Sequence, residues 1–271
     1  VSQIVDERVA GLAVYRHRTG PDAPRVVLVH GSMDRAATFG KVIRRLPELA
    51  IVRYDRRGYG RSHALEVASD LQEQVEDLLL VLDGEPAVVV GHSLGGVIAL
   101  AAAQREPALV PSVAAFESPM SWLDWWPTRS AGGEAMAAVR GDAAERVSDE
   151  EAAERFMRRM IGEDRWEGLS ARTRQARRAE GPALLAELAS IRSEAPYDPG
   201  SLQVPVLAGH GTASQPYHQQ AAARLAEWAP RGELLVIDGA GHAAQASHPE
   251  AFAAFVRRAV ARAAPPSPGL D

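Results

Sequence analysis

Short runs of aliphatic and β-branched residues alternate along the chain with longer stretches in which apolar positions recur every three or four residues. The runs are Val26-Val27-Leu28-Val29, Ile51-Val52-Arg53-Tyr54, 87–90, Val113-Ala114-Ala115-Phe116, 204–208 and Leu234-Leu235-Val236-Ile237. Near-continuous apolar character suits strands covered on both faces, and therefore a mostly parallel sheet. Helical spacing fills 37–46, 71–82, 94–105, 217–228 and 249–263, which is the rhythm of βαβ units. Residues 9–16 are read as an antiparallel strand added at the sheet's edge.

The alternation breaks over 120–199, where an Ala-, Glu- and Arg-rich stretch keeps helical spacing but offers no strand. The pattern divides the chain into an α/β core, 1–119 with 200–264, a helical cap inserted at 120–199, and a frayed, proline-rich tail at 265–271. The cap holds four of the five tryptophans, Trp122, Trp125, Trp126 and Trp166, with Met120, Met136, Phe156, Met157 and Met160. Most of these are expected to be the cap's own core, because helical aromatics usually pack. Trp122, Trp125, Trp126 and Met120 follow closely on a strand end, where open α/β sheets bind ligands, and are expected to line a pocket.

Composition narrows the classes. The 271 residues suffice for one large domain or a domain with an insertion, burying about three-quarters of the unfolded surface. A net charge of −5 with 46% hydrophobic residues fits neither a nucleic-acid footprint nor a disordered chain. Without cysteine there is no disulfide framework, thiol nucleophile or cysteine metal site. No apolar run is long enough to span a membrane, so a soluble, cytoplasmic protein is expected, with no membrane or nucleic-acid partner.

The chemistry gathers at the strand ends. Val90-Gly91-His92-Ser93-Leu94-Gly95 puts Gly-x-Ser-x-Gly between a strand and a helix, a nucleophile elbow that lifts Ser93 above the sheet. His30-Gly31-Ser32-Met33 ends an earlier strand, where a loop can offer one backbone N–H of an oxyanion hole, from Ser32 or Met33. Leu94 N–H supplies the other. Asp55-Arg56-Arg57-Gly58-Tyr59-Gly60-Arg61-Ser62 reads mainly as scaffold. His242, in Gly239-Ala240-Gly241-His242 after the last strand, fits a general base, whereas His92, His218 and the remaining histidines have no comparable position. Asp34 reads in two ways, as the cap of the helix near Ala37 or as a carboxylate beside the substrate.

Taken jointly, the Ser93 elbow, the His30-Gly31 loop, the Asp55-to-Ser62 stretch and Gly241-His242 resemble the α/β-hydrolase superfamily, over about residues 7–262. The resemblance implies an eight-stranded, mostly parallel sheet with a cap after the sixth strand. Members often carry an aspartate after the seventh strand in His-Gly-x-x-Asp, but here His210-Gly211-Thr212-Ala213-Ser214 has serine there. Glu117, in Phe116-Glu117-Ser118-Pro119-Met120 after the sixth strand, is the acid that remains. Its location is similar to that of haloalkane dehalogenases and lactonases of the zearalenone type. A carboxylate at this place can also salt-bridge to the cap, while Ser214 is expected to be dispensable.

The expected activity is serine-dependent hydrolysis of an apolar ester or lactone, with Ser93, His242 and Glu117 as triad and no metal or organic cofactor. A hydroxyl nucleophile suits carbonyl attack better than halide displacement. Acyl transfer, carbon–carbon hydrolysis and cofactor-free perhydrolysis use related sites, and a non-hydrolytic ligand receptor can occupy the same fold.

Overall fold

The computed structural model describes residues 3–141 and 146–263, so the 265–271 tail lies outside it. Strands β1 (Gln3–Val9), β2 (Leu12–Arg18), β3 (Arg25–Val29), β4 (Ala50–Tyr54), β5 (Val88–His92), β6 (Val113–Phe116), β7 (Val206–Gly211) and β8 (Gly232–Ile237) form one sheet in the order β1-β2-β4-β3-β5-β6-β7-β8. Pairing is parallel from β4 through β8, and β2 is antiparallel to both its neighbours.

Helices α1 (Gly40–Ile43), α2 (Leu71–Leu82) and α3 (Leu94–Arg105) follow β3, β4 and β5. Between β6 and β7 run α4 (Ala131–Arg140), α5 (Asp149–Ile161), α6 (Glu163–Glu167), α7 (Ala171–Arg178) and α8 (Gly181–Ser193), with no described strand among them. Then come α9 (Pro216–Trp228), α10 (Ala244–Ser247) and α11 (Pro249–Ala263). No helix among the described residues is long and apolar enough to cross a membrane.

Strand parity builds the two sides of the core. Val27, Val29, Val89, Val113, Ala115, Val206 and Ala208 pack on one face with residues of α2, α3 and α9. Their sequence neighbours Val26, Leu28, Val88, Val90, Ala114, Phe116 and Leu207 point the other way, onto α1 and α11. A period of two with both faces buried is the reason these strands read as unbroken apolar runs.

Two elements differ from the sequence expectation. The edge at 9–16 is a hairpin, β1 with β2, turned by Ala10 and Gly11 at φ 48° and 87°. The helical stretch at 37–46 is a 3-10 turn, Ala36–Phe39, followed by the single turn of α1. Arg35 precedes that turn without a side-chain cap, and Asp55 Oδ1 instead accepts the Ala36 N–H at 2.8 Å. Asp34 therefore does not cap this helix: a carboxylate from the end of β4 has taken the exposed donor.

The α4–α8 segment is tied to the sheet by buried ions. Arg56 donates from Nε to His30 O at 2.9 Å, from Nη2 to Gly31 O at 3.0 Å and from Nη1 to Glu187 Oε2 at 2.9 Å. Tyr59 donates to the other Glu187 oxygen at 2.7 Å. One guanidinium thus fixes the loop after β3 and the position of α8 together, and the Asp55-to-Ser62 stretch is scaffold.

Candidate active site

Three non-glycine residues near the carboxyl ends of the central strands carry a left-handed backbone: Met33 (φ 56°) after β3, Ser93 (φ 53°) after β5 and Glu117 (φ 50°) after β6. Such conformations are costly for residues with a Cβ and concentrate at functional sites. Arg177 Nη1 donates to Met33 O at 2.5 Å. Ser93 N–H donates to Phe116 O at 2.8 Å, and Glu117 N–H to Gly209 O at 2.8 Å. The elbow also needs its glycines, because a Cβ on Gly91 would come within 2.2 Å of Gly95 O and one on Gly95 within 2.2 Å of Val29 O.

Glu117 is fully buried and spoken for on both oxygens. Oε2 accepts from His242 Nδ1 at 2.7 Å. Oε1 accepts from Gly211 N–H at 3.0 Å and from the Ser214 hydroxyl. Burial raises its pKa, but the His242 hydrogen bond and charge, His218 and the Ser214 hydroxyl outweigh it and hold the carboxyl at about 2. As the carboxylate only accepts, the proton of neutral His242 lies on Nδ1 and Nε2 keeps its lone pair. Glu117 bonds to His242 and not to the α4–α8 segment. Ser214, where the resemblance leads one to expect an aspartate, is a hydrogen-bond donor to Glu117.

Ser93, Leu94 and Ser32 line a cavity together with His242. Trp126, ahead of α4, and Phe156, Met160, Leu188, Ile191 and Arg192 of the α4–α8 segment line it, and Tyr217 and His218 close it from α9. The Leu94 N–H lies in the first turn of α3, where a helix has no acceptor to offer. Among the described residues the Ser32 and Met33 N–H groups also lack acceptors. Ser32 reaches the cavity, and Met33 is buried below it.

The tryptophan expectation is only partly met. Trp126 lines the cavity, whereas Trp122 packs edge-on against Tyr197 at 5.4 Å and Trp125 lies behind Trp126 at 5.9 Å. Met120 is fully buried in the core. Their places go to Phe156 and Met160, expected as cap core, because the lining faces of α5 and α8 are set by how the helices cross. Asp34 does not line the cavity either. Burial raises its carboxyl to about 6 against the Arg35 N–H and the charges of Arg35, Arg56 and His242.

Two histidines without an assigned place in the sequence support His242. His92, inside the elbow motif, donates from Nε2 to His242 O at 2.7 Å. His218 stacks on the His242 ring at 4.6 Å and 25°, and Trp126 meets His218 edge-on at 5.4 Å. Pro216, at the first helical position of α9, places His218 in the opening turn beyond a strand's carboxyl end, which is the signal that could have found it. The donor atoms of Glu117, His218 and His242 lie within 4.8 Å of one another.

Burial, then the charge of His242, lowers both His92 and His218 to about 3. An unfolded histidine binds its proton near 6.5, so each contributes stability that is complete above about pH 6.5 and falls, by about 1.4 kcal/mol per pH unit, as the pH drops toward 3. Asp34, raised to about 6, and Glu180, raised by burial to about 7, work in the opposite direction. A difference between variants isolates one group. His218→Phe should gain stability relative to the wild type as urea melts are moved from pH 7 to pH 4.5; a constant difference would show that His218 titrates normally.

Residues 26–255 match the sequence model of the Alpha/beta hydrolase family. The chain is 34% identical over 100 residues to Lipase LipV of Mycobacterium tuberculosis, covering 35% of this chain and 38% of that protein. It is 35% identical over 119 residues to the Uncharacterized hydrolase YugF of Bacillus subtilis, covering 42% and 44%. The chain thus spans less than half the length of these curated relatives. In fold it is similar to the 2-hydroxy-6-oxo-6-phenylhexa-2,4-dienoate hydrolase of Rhodococcus sp. strain RHA1, with a TM-score of 0.69 at 21% identity over 95% of this chain and 99% of that one. A thermophilic esterase from Thermogutta terrifontis gives a TM-score of 0.71 at 18% identity, over 97% and 99%.

Proposed function

The chain belongs to the alpha/beta hydrolase family, and on that premise we propose that it is a serine hydrolase cleaving a carboxylic ester or lactone of an apolar small molecule. The observation that carries this reading is the 2.7 Å bond from His242 Nδ1 to Glu117, which orients the imidazole in the cavity that Ser93 also lines. His242 Nε2 takes the Ser93 proton as Oγ attacks the carbonyl carbon, and Glu117 stabilises the imidazolium that results. The Leu94 N–H, with that of Ser32 or Met33, receives the oxyanion, a role in which one donor is worth about 3 kcal/mol.

His242 then gives its proton to the leaving alkoxide; water, deprotonated by the same imidazole, attacks the acyl-enzyme carbonyl, and the imidazolium protonates Ser93 Oγ as the acid leaves. The segment 120–199 serves as the cap whose Trp126, Phe156 and Leu188 exclude bulk water and take up the apolar part of the substrate. The cavity's mostly aliphatic and aromatic walls suit a small organic ester.

A stopped-flow series of p-nitrophenyl esters of increasing acyl length tests this. A p-nitrophenol burst equal to the enzyme concentration, followed by a slower steady state, is the expected result. Absence of turnover across the series, together with tight binding of the intact esters, would overturn it in favour of a ligand receptor.

A further inference from the structure

Resting on that reading of the site, we propose that Arg192 is a carboxylate subsite, and that the preferred substrate carries an ionised carboxylate at the far end of its acyl chain. Arg192 lies in the last turn of α8 and lines the same cavity as Ser93. Its Nη1 donates to Leu188 O at 2.8 Å, which anchors the stem. Among the described residues no carboxylate pairs with it, and the neighbouring charge that acts on it is another cation, Arg140. The contrast is with Arg56 and Arg35, which join the same segment to the sheet and meet Glu187 at 2.9 Å and Glu180 at 2.6 Å.

Room for the guanidinium is built into the opposing helix. A Cβ on Gly132, in the first turn of α4, would stand 2.9 Å from Arg192 Nη2 and 2.7 Å from Leu188 Cδ2. Burial lowers the group to about 10, so it remains a cation at neutral pH. An unpaired cation in a mostly apolar cavity is expensive, and a planar, doubly donating guanidinium is matched by a carboxylate.

The direction follows from the chemistry. His242 must protonate the leaving oxygen, so the alcohol portion lies toward the His242, His218 and Tyr217 wall. The acyl chain runs from Ser93 the other way, along Leu188 and Ile191 to Arg192. A half-ester or lactone of a longer dicarboxylic acid has this form.

The test compares p-nitrophenyl octanoate with mono-p-nitrophenyl suberate, equal in chain length and different in the terminal charge. Wild type should show kcat/KM at least about tenfold higher for the suberate. Arg192→Met should reverse that order, and Arg192→Lys should retain part of the preference. Turnover of both esters by wild type without a preference, or a preference that survives Arg192→Met, would overturn the subsite while leaving the hydrolase reading in place. If neither ester is turned over, the hydrolase reading fails, and binding of monomethyl suberate followed by isothermal titration calorimetry decides for Arg192. Weaker binding to Arg192→Met supports the subsite and equal binding overturns it. Should Arg192→Met lose its cooperative melt, Arg192→Gln takes its place in both measurements.

Discussion

Ser93→Ala should lower kcat by about 10⁴- to 10⁶-fold and abolish covalent labelling by a fluorophosphonate, while the thermal midpoint stays near that of wild type. The expected loss is large because in the proposed mechanism the hydroxyl oxygen bonds to the acyl group, and nothing else in a serine mechanism replaces that bond. The fold should persist. Alanine has a Cβ as serine does, so it meets the same strain at φ 53° and ψ −125°, and no hydrogen bond from the Ser93 side chain caps α3. What holds the elbow is backbone: Ser93 N–H to Phe116 O and the close passage of Gly91 against Gly95. Ser32, Ser121 and Ser130 also line the cavity. Mass spectrometry of the labelled wild type locates the modified serine, and a label on any of these three would move the nucleophile away from the elbow. Residual turnover by Ser93→Ala above the uncatalysed rate is expected to be small, coming from the oxyanion donors and binding alone.

The parts of this molecule that could be read in the sequence are those set by local rules. Asp70 caps α2 through the Glu73 N–H at 3.1 Å, and Asp83 ends it in a left-handed conformation, so both boundaries are written in residues beside them. The central strands are apolar on both faces because helices cover both, which gives their runs a length and composition that a single sequence displays. That Ser93 and His242 line one cavity follows from motif and chain order. Glu117 follows from the absence of an acid after β7, and its bond to His242 joins residues far apart in the chain.

What was not legible depends on packing between distant segments. Asp55 rather than Asp34 receives the Ala36 N–H because β4 lies beside β3 in the sheet, and a capping rule that looks only at residues next to the helix does not reach a carboxylate brought there by strand pairing. Trp122, Trp125 and Trp126 are close in sequence, yet only the last reaches the cavity, since the turn carrying them places one ring behind another. His92 and His218 were indistinguishable from ordinary core histidines until the loop of His242 was laid between them. Ser214 is the most instructive case. Its hydroxyl is hydrogen-bonded to Glu117, so Ser214→Ala should cost activity, though no more than about tenfold, as one of two donors to the same oxygen is lost.

Those two donors also decide what Glu117→Gln will do. The amide is nearly isosteric with the carboxylate, and the question is which of its ends faces His242. Gly211 N–H requires an acceptor at Oε1, and the Ser214 hydroxyl donates to the same atom. The amide oxygen must therefore take that position, leaving the NH₂ where Oε2 now meets His242 Nδ1. A donor at that place forces Nδ1 to accept, and the imidazole proton moves to Nε2. The nitrogen that should take the Ser93 proton then carries one of its own, and the counter-charge for the imidazolium is gone as well. Loss of kcat by about 10⁴-fold with little change in KM is expected, the scale known for trapping a triad histidine in the wrong tautomer. Glu117→Gln/Ser214→Ala tests the cause. Without the hydroxyl, only the Gly211 N–H opposes rotation of the amide, so the double variant should be more active than Glu117→Gln alone even though Ser214→Ala by itself lowers activity. A strictly additive loss would show that Glu117 acts by its charge and not by fixing the tautomer, and near-normal turnover of Glu117→Gln would remove it from the triad.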